Sequence, residues 1–328
     1  MKAESKGGTV RIERQGAPSV LQYSIENINM PGANQVLVKQ EAIALNFVDI
    51  LFRNGSFPIS GFPATIGVEA AGTIEAIGTG ISNFKIGDRV GYYFSLGAYT
   101  QYRIIDANSL ISIPEDISFD QAASLMAKGL TARMLIKQAY PVKPGDTILV
   151  HAAAGGVGSL VSKWAKSLGA LVIGTVGSAA KKEYALAHGI DHVIALDTED
   201  LAETIKAITG GKKIQALFDG VGKATFEQSV PLIAEGGYAV LFGASSGSPS
   251  IDIAALKEYK IHLIQPVLGN YLHDSRGVAQ ASKDLFDAVR SGILGTITPT
   301  IYALSDAAKA HQDLESSKTK GSIIFHIN

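Results

Sequence analysis

Residues 147–170 read TILVHAAAGGVGSLVSKWAKSLGA, and the middle of that run decides the fold. An apolar stretch, Ile148 to Val150, meets the loop Ala152-Ala153-Ala154-Gly155-Gly156-Val157-Gly158, and a segment with helical spacing follows. Strand, glycine-rich turn and helix, in that order, aim backbone N–H groups at an anion bound on the helix N-terminus. The spacing G-x-G-x-x-G falls on Ala153, Gly155 and Gly158, so an alanine takes the first glycine slot. Gly155 lets the backbone approach a pyrophosphate and Gly158 lets the helix pack on its strand. Ala153 is tolerated if its φ stays negative.

Alone, such a loop is weak evidence, because a structural turn has the same composition. Its surroundings strengthen it. Downstream, apolar runs at 171–176, 192–195, 214–218, 238–242 and 260–265 read as strands, joining 147–152. Helical segments at 157–168, 179–188, 199–209 and 223–232 lie between them. Strands alternating with helices imply a parallel, doubly wound sheet and a bound dinucleotide. Upstream of about 120 the character differs. QVLVKQEAIAL, AAGTIEAIG and DRVGYYF alternate or run apolar between Gly, Pro, Asn and Asp, which predicts a β-rich region. A helix around Ala122 to Gln138 leads from one region to the other. After about 275 come one long helix (DSRGVAQASKDLFDAVRSG), a shorter one near 305–315 and a strand SIIFHI, and this tail is expected to rejoin the first region.

The end of the second strand sorts NAD from NADP. An enzyme using NAD places an acid there, about 20 residues past the glycines, on the ribose 2′-hydroxyl. Here GTVGSAAKKEY, Gly174 to Tyr184, holds no acid before Glu183. Ser178 offers a hydroxyl and Lys181 a cation, which would welcome a 2′-phosphate. A solvated lysine face at 181 and 182 is the plainer alternative. NADP(H) is favoured.

Composition narrows the rest. With net charge −1 and no basic run, a generic nucleic-acid role is not expected. The polar MKAESKGGTV lacks an apolar signal-peptide core, and no apolar run approaches the roughly 18 residues of a membrane span. The cytoplasm is the expected compartment. There is no cysteine, which excludes disulfides, thiolate nucleophiles and cysteine zinc sites.

PATIGVEAAG (63–72), GDRV (87–90) and AKGLTA (127–132), together with the βα series, resemble the medium-chain dehydrogenase/reductase superfamily over essentially the whole chain. Within it, LNFVDILFRNG (45–55), LGAYTQY (96–102), HAAAGGVG (151–158), DGVG (219–222) and FGASSG (242–247) resemble the zinc-independent quinone oxidoreductases, zeta-crystallin among them. The resemblance implies an α/β fold: a Rossmann doubly wound parallel sheet plus a GroES-like β-rich catalytic domain. The expected boundaries are 1–125, completed by 272–328, for the catalytic domain and 126–271 for the NADP(H)-binding domain. Zinc alcohol dehydrogenases of the superfamily carry Gly-His-Glu where this chain has Gly67-Val68-Glu69. With the histidine replaced by valine and no cysteine, no metal is expected, and Glu69 reads as a buried hydrogen-bonding remnant. Without zinc to acidify an alcohol, the accessible direction is hydride delivery to an electron-poor acceptor.

By the same resemblance, the cofactor contacts fall on Asn46 at the nicotinamide ribose, Thr131 at the nicotinamide, and the Gly155-Gly156-Val157 turn. They continue with Ser178 and Lys181 at the 2′-phosphate, and with Phe242, Gly243, Ser245 and Ser246 late in the sheet. Lys128 is a candidate donor near the nicotinamide, with a surface lysine as its alternative. Asp49 is a candidate proton relay, with a helix cap or an ion pair to Arg53 as the stronger reading. Relatives place tyrosines in the substrate pocket where this chain has Leu51 and Phe57, which makes the expected pocket more apolar. An adenine-side tyrosine corresponds to Leu196 and a C-terminal arginine to Ser317, with Lys318 next door as a substitute. His151, His188 and His192 read as satisfied structural histidines.

Three readings remain open. The first is an NADPH-dependent quinone reductase, and the second a reductase of alkenal or enone double bonds. The third is a non-catalytic NADPH-binding structural or RNA-binding protein. A homodimer is expected through HLIQPVLGNY (262–271), an apolar edge strand that pairing would protect.

Overall fold

The run QVLVKQEAIAL forms the long strand Gln35–Leu45 at the centre of the first sheet. In the computed structural model, which describes residues 6–327, that sheet has seven strands. Along the path they are Thr300–Ala303, Ile323–His326, Gln35–Leu45, Ala70–Ile77, Arg89–Tyr92 and Ile111–Ser112, and Tyr102–Asp106 also pairs with Gln35–Leu45. All of these pairings are antiparallel except the C-terminal pair Thr300–Ala303 and Ile323–His326. A smaller sheet joins Gln22–Asn27, Lys6–Ile12 and Ala64–Thr65. Val36, Val38, Ile43, Leu45, Ile74, Val90, Tyr92 and Phe325 share one buried core.

The second sheet is wholly parallel. Its order is His192–Ala195, Leu171–Val176, Thr147–Val150, Ile214–Asp219, Ile233–Leu241, His262–Ile264. Numbered by sequence, that is 3-2-1-4-5-6, the order of a doubly wound dinucleotide-binding sheet. The direction reverses between Thr147–Val150 and Ile214–Asp219, and the glycine loop leaves the sheet at that reversal. Leu149, Ile173, Ile194, Leu217 and Ala239, one from each of five adjacent strands, lie in a common core.

The chain divides into two units. One takes the chain through Ala127 and again from Ile297, and the other is Lys128–Thr296. The first boundary lies inside the helix Phe119–Met134. The second falls later than the 272 read from the sequence, because the long helix Ser275–Arg290 stays with the parallel sheet's unit. Its face at Ala281, Leu285 and Ala288 is buried, and Leu285 packs where Gly129 leaves no side chain. Asp284 on the same helix accepts from Arg133 Nε at 2.9 Å and Lys137 Nζ at 3.2 Å. Amphipathic spacing predicts such a helix but not which core it covers.

Candidate functional site

In the first unit the site is a chain of buried hydrogen bonds. Gln35–Leu45 ends at Asn46, which has extended backbone angles and starts the helix Phe47–Asn54. Asn46 and Asp49 form a reciprocal capping box, with the Asn46 N–H donating to Asp49 Oδ2 at 2.8 Å. The Asn46 amide also donates from Nδ2 to Glu69 Oε2 at 2.8 Å. The other carboxylate oxygen of Glu69 accepts the Ala127 N–H at 2.6 Å. Asp49 and Glu69 are both wholly buried, so these bonds are unscreened by water. An amide has two donors and two lone pairs, so Asn46 keeps one valence at each end for a ligand while its rotation is fixed.

The chain runs on behind Asp49. Tyr99 donates its hydroxyl to Asp49 Oδ2 at 3.2 Å and lies 2.9 Å from His311 Nε2. With the phenol proton given to Asp49, His311 Nε2–H is assigned as donor to the phenol oxygen. Burial, with the nearby Arg53 charge, pushes the His311 pKa down to about 3, and burial raises the Tyr99 phenol well above its ordinary range. Arg53 grips Glu315 with both terminal nitrogens, at 3.0 and 2.6 Å, and donates to Gly16 O at 3.1 Å. Leu51 is half-buried on the same helix, and its carbonyl accepts the Phe57 N–H at 2.9 Å. The Phe57 ring meets Phe52 edge-on at 5.5 Å and is 41% exposed, which leaves an apolar surface for a ligand.

In the second unit the glycine loop opens the helix Gly156–Ser167 with Gly155 at its N-cap, and no side chain caps it. A Cβ on Gly158 would lie 2.4 Å from the Ala152 carbonyl oxygen, so only glycine allows the helix to sit this close. The left-handed backbone falls on Ala152, with φ +52°, and not on the first slot of the motif. Ala153 is buried, and its N–H donates to Thr175 O at 2.8 Å. Lys128 is buried at 7% exposure and runs alongside Gly156, where a Cβ would meet its Cδ at 2.7 Å. The solvated-lysine alternative is thereby overturned for Lys128. Thr131, half-buried, stands one helical turn further on.

Ser178, Lys181, Phe242, Gly243, Ser245 and Ser246 also lie beyond the carboxyl ends of parallel strands. Late in the sheet, Asp219 is wholly buried and accepts the N–H groups of Val221 and Gly222 at 2.7 and 3.0 Å and the Thr225 hydroxyl at 2.8 Å. Ser246 Oγ donates to Val221 O at 2.8 Å and accepts the Ala224 N–H at 2.9 Å, while Ser245 is exposed. Phe242 and Gly243 are half-buried, and Gly243 crosses Gly220 too closely for a Cβ. His151, behind the loop, bonds Thr175 Oγ1 at 2.7 Å and Ser229 Oγ at 2.8 Å, and burial lowers its pKa to about 4 despite Asp219. It is a satisfied core histidine.

At the adenosine end, Ser178 precedes the short turn Ala179–Lys181. Lys182 Nζ is held by both oxygens of Glu199, at 2.7 and 2.8 Å, which separates its role from that of Lys181. An acid missed by reading along one strand arrives from the next. Asp197 accepts the Ala179 N–H at 3.0 and 3.3 Å. Lys318 is exposed after the helix Ala307–Glu315, and Ser317 before it has left-handed φ +55°. Tyr99, His311 and Asp197 carried no sequence signal as site residues.

Residues 32–115 match the family model described as alcohol dehydrogenase GroES-like domain, and residues 156–284 that of zinc-binding dehydrogenase. Quinone oxidoreductase 1 of Escherichia coli K12 is 39% identical over 321 residues, 96% of this chain and 98% of the relative. A 2-haloacrylate reductase of a Burkholderia species is 36% identical over 324 residues, 96% and 97% of the two chains. The crystal structure of Escherichia coli quinone oxidoreductase complexed with NADPH matches with a TM-score of 0.93 at 38% identity, covering 97% of this chain and 99% of that one.

Proposed function

The chain belongs to the quinone oxidoreductase family of the medium-chain dehydrogenase/reductase superfamily, and from that premise we propose that it reduces a quinone acceptor with NADPH and without a metal. One observation carries the reading: the wholly buried Glu69 spends its carboxylate on the Asn46 amide and the Ala127 N–H. Zinc, which the description of one matched family model implies, does not suit this place. The neighbouring Val68 has no donor atom, cysteine is absent, and among the described residues no group of three or more His, Cys, Asp or Glu could hold a metal. The carboxylate positions an amide here.

NADPH suits the second unit, where an uncapped helix start and the close-approach glycines at 155, 156 and 158 make a cradle for a pyrophosphate. When bound, it supplies the hydride. Gly155, Gly156 and Val157 hold its phosphates, with Ser178 and Lys181 at the 2′-phosphate and Phe242, Gly243, Ser245 and Ser246 along the later loop. Lys318 takes the place of the family's arginine. By the family resemblance Asn46 would orient the nicotinamide ribose, and Thr131 and Lys128 are the candidates for holding the nicotinamide. Leu51 and Phe57 form an apolar wall for a planar acceptor and exclude water. A quinone would gain one hydride from the cofactor and one proton from solvent to become a hydroquinone. Conjugation spreads the incoming charge, so no titratable side chain is assigned as general acid. Asp49 serves as a positioning residue, since its carboxylate is committed to the Asn46 N–H and the Tyr99 hydroxyl.

The similarity to a 2-haloacrylate reductase supports a second reading, reduction of an activated carbon–carbon double bond at the same site. Initial rates of NADPH oxidation with 1,4-benzoquinone, 9,10-phenanthrenequinone and a simple alkenal separate the two. Quinone turnover unaffected by chelator, with no stoichiometric zinc by elemental analysis, is the expected result. Turnover of the alkenal alone would replace the quinone reading, and activity lost on dialysis against EDTA would refute the metal-free one.

Two further assignments belong to this proposal. His262–Ile264 is the edge of the parallel sheet, and Val267 beyond it is 61% exposed. Pairing that edge across a two-fold axis would satisfy its open hydrogen-bonding row. We assign a homodimer on that basis; sedimentation showing only monomer at micromolar concentration would refute it. No helix among the described residues is long and apolar enough to cross a membrane, and the cysteine-free composition supports a cytoplasmic protein.

A further inference from the structure

We infer that Asp197 sets this chain's choice between NADPH and NADH, its carboxylate opposing a 2′-phosphate at the segment that would otherwise receive one. The inference rests on the cofactor reading above and deepens it. Reading along the second strand finds only Ser178 and Lys181, a hydroxyl and a cation, and points to NADPH. The fold adds an anion to that place. The third strand, His192–Ala195, runs parallel beside Leu171–Val176, and the chain continues through Leu196 to Asp197. Its carboxylate then takes the backbone N–H of Ala179, the residue immediately after Ser178, at 3.0 and 3.3 Å.

Two consequences follow. First, the Ala179 N–H is occupied by a side chain of this protein, where an anionic ligand at Ser178 would compete for it. Second, the charge is mixed. Lys182 is neutralised by Glu199, and Asp197 bonds the first residue of the turn Ala179–Lys181. A 2′-phosphate dianion therefore meets a weaker positive field than the two lysines suggest. A ribose 2′-hydroxyl carries no charge to be repelled, and a carboxylate is the acceptor that dinucleotide-binding sheets commonly offer it. Asp197 reaches that role from the end of the third strand. Both Ala179 and Asp197 are exposed, so the effect is moderate and screened by salt.

The test is calorimetric binding of NADPH, NADH, adenosine 2′,5′-bisphosphate and 5′-AMP to the wild type, Asp197→Asn and Asp197→Ala. Asn keeps an acceptor for the Ala179 N–H and removes the charge; Ala removes both. Each is expected to tighten NADPH and the bisphosphate about tenfold, the size of a like-charge repulsion across a few ångströms that is largely screened by water. NADH and 5′-AMP should change by less than about threefold. The gain should shrink as salt is raised, and Glu203→Gln, an exposed acid elsewhere in this unit, should leave all four ligands unchanged. An NADPH-to-NADH affinity ratio that stays within twofold of wild type in both Asp197 variants overturns the inference and leaves the cofactor reading standing. Saturable binding of neither dinucleotide by the wild type overturns both.

Discussion

Around Asn46 the polar groups are buried and joined end to end, from His311 through Tyr99, Asp49 and Asn46 to Glu69 and the Ala127 backbone. Around Ala179 a carboxylate, a hydroxyl, two lysines and a backbone N–H are half-buried or exposed, with Lys182 paired to Glu199. A buried hydrogen bond that loses its partner costs the full desolvation of the group left behind, whereas an exposed pair is replaced by water at small cost. The first region can therefore fix a geometry but cannot easily change. The second can be retuned by single substitutions. That suits the roles proposed for them, holding a reacting group and selecting a cofactor.

The largest effect expected from this contrast is on stability in acid. His311 is held neutral with a pKa near 3, and His151, in the other unit, with one near 4. Both lie below the ordinary histidine value, so on acidification the unfolded chain takes up protons before the folded one. Their stabilising contribution is complete above about pH 6.5 and is lost as pH falls through that value towards 4. Between pH 7 and 5 each should cost on the order of 2 kcal/mol. Denaturant titrations at the two pH values measure it, and equal stability at both would show that these rings are not held neutral by burial.

Next in size is Asn46→Ala. A misplacement of about 1 Å at a reacting centre costs on the order of a hundredfold, and Ala removes the amide that Glu69 holds in place. Turnover should fall by about that factor, while NADPH binding, held largely elsewhere, weakens much less. Glu69→Gln should follow in the same direction with a smaller loss, because Gln still offers one acceptor. An Asn46→Ala enzyme as fast as wild type would mean that the reaction centre lies away from this network.

At the exposed end, Lys181→Glu should weaken NADPH about tenfold and leave NADH little changed, since a charge-assisted phosphate contact contributes roughly 1.5–3 kcal/mol. The loss should be smaller at high salt, whereas that of Asn46→Ala should not depend on salt. Equal salt dependence of the two variants would erase the distinction between the regions.

The two regions were also unequally legible. The glycine loop and the alternation of strand and helix could be read because each unit lies within one stretch of chain: alternating or apolar strand, glycine turn, helical spacing. Asn46 emerged through resemblance, and its chemistry through position at the end of a strand. What the sequence hid was partnership. Asn46 and Glu69 are 23 residues apart, and Tyr99 and His311 are 212 apart. No periodicity joins such pairs: the pairing of Gln35–Leu45 with Ala70–Ile77 brings the first together, and the packing of the helix Ala307–Glu315 against the β-rich core the second. Asp197 escaped for a related reason. The rule for a ribose acid looks along one strand, and the residue proposed for that place comes from its neighbour. The helix Ser275–Arg290 was recognised by its spacing, yet an apolar stripe does not say which unit it will cover.

The smallest effect concerns the wall of the pocket and asks whether rigidity at the reaction end extends to the acceptor. Leu51 is half-buried, between the wholly packed Ile50 and the Phe52 ring that meets Phe57. Its backbone carbonyl accepts the Phe57 N–H, a bond that any residue supplies. Leu51→Tyr should therefore fold normally, with stability within about 1 kcal/mol of wild type. The phenol restores a donor that resemblance places in relatives at this position. A neutral hydrogen bond contributes about 0.5–1.5 kcal/mol net, so a quinone that gains one should turn over on the order of threefold faster, with the gain in kcat/KM. An alkenal offers its oxygen at a different distance from the reacting carbon and should gain less. Initial rates across a panel of quinones and enones check this between pH 6 and 8, where wild type and variant should both show shallow profiles because no group titrating there is assigned to the reaction. A bell-shaped profile on a chemistry-limited step would require an acid or base missing from the Asn46 network. A large loss in Leu51→Tyr would mean that the apolar wall is packed as tightly as the network behind it.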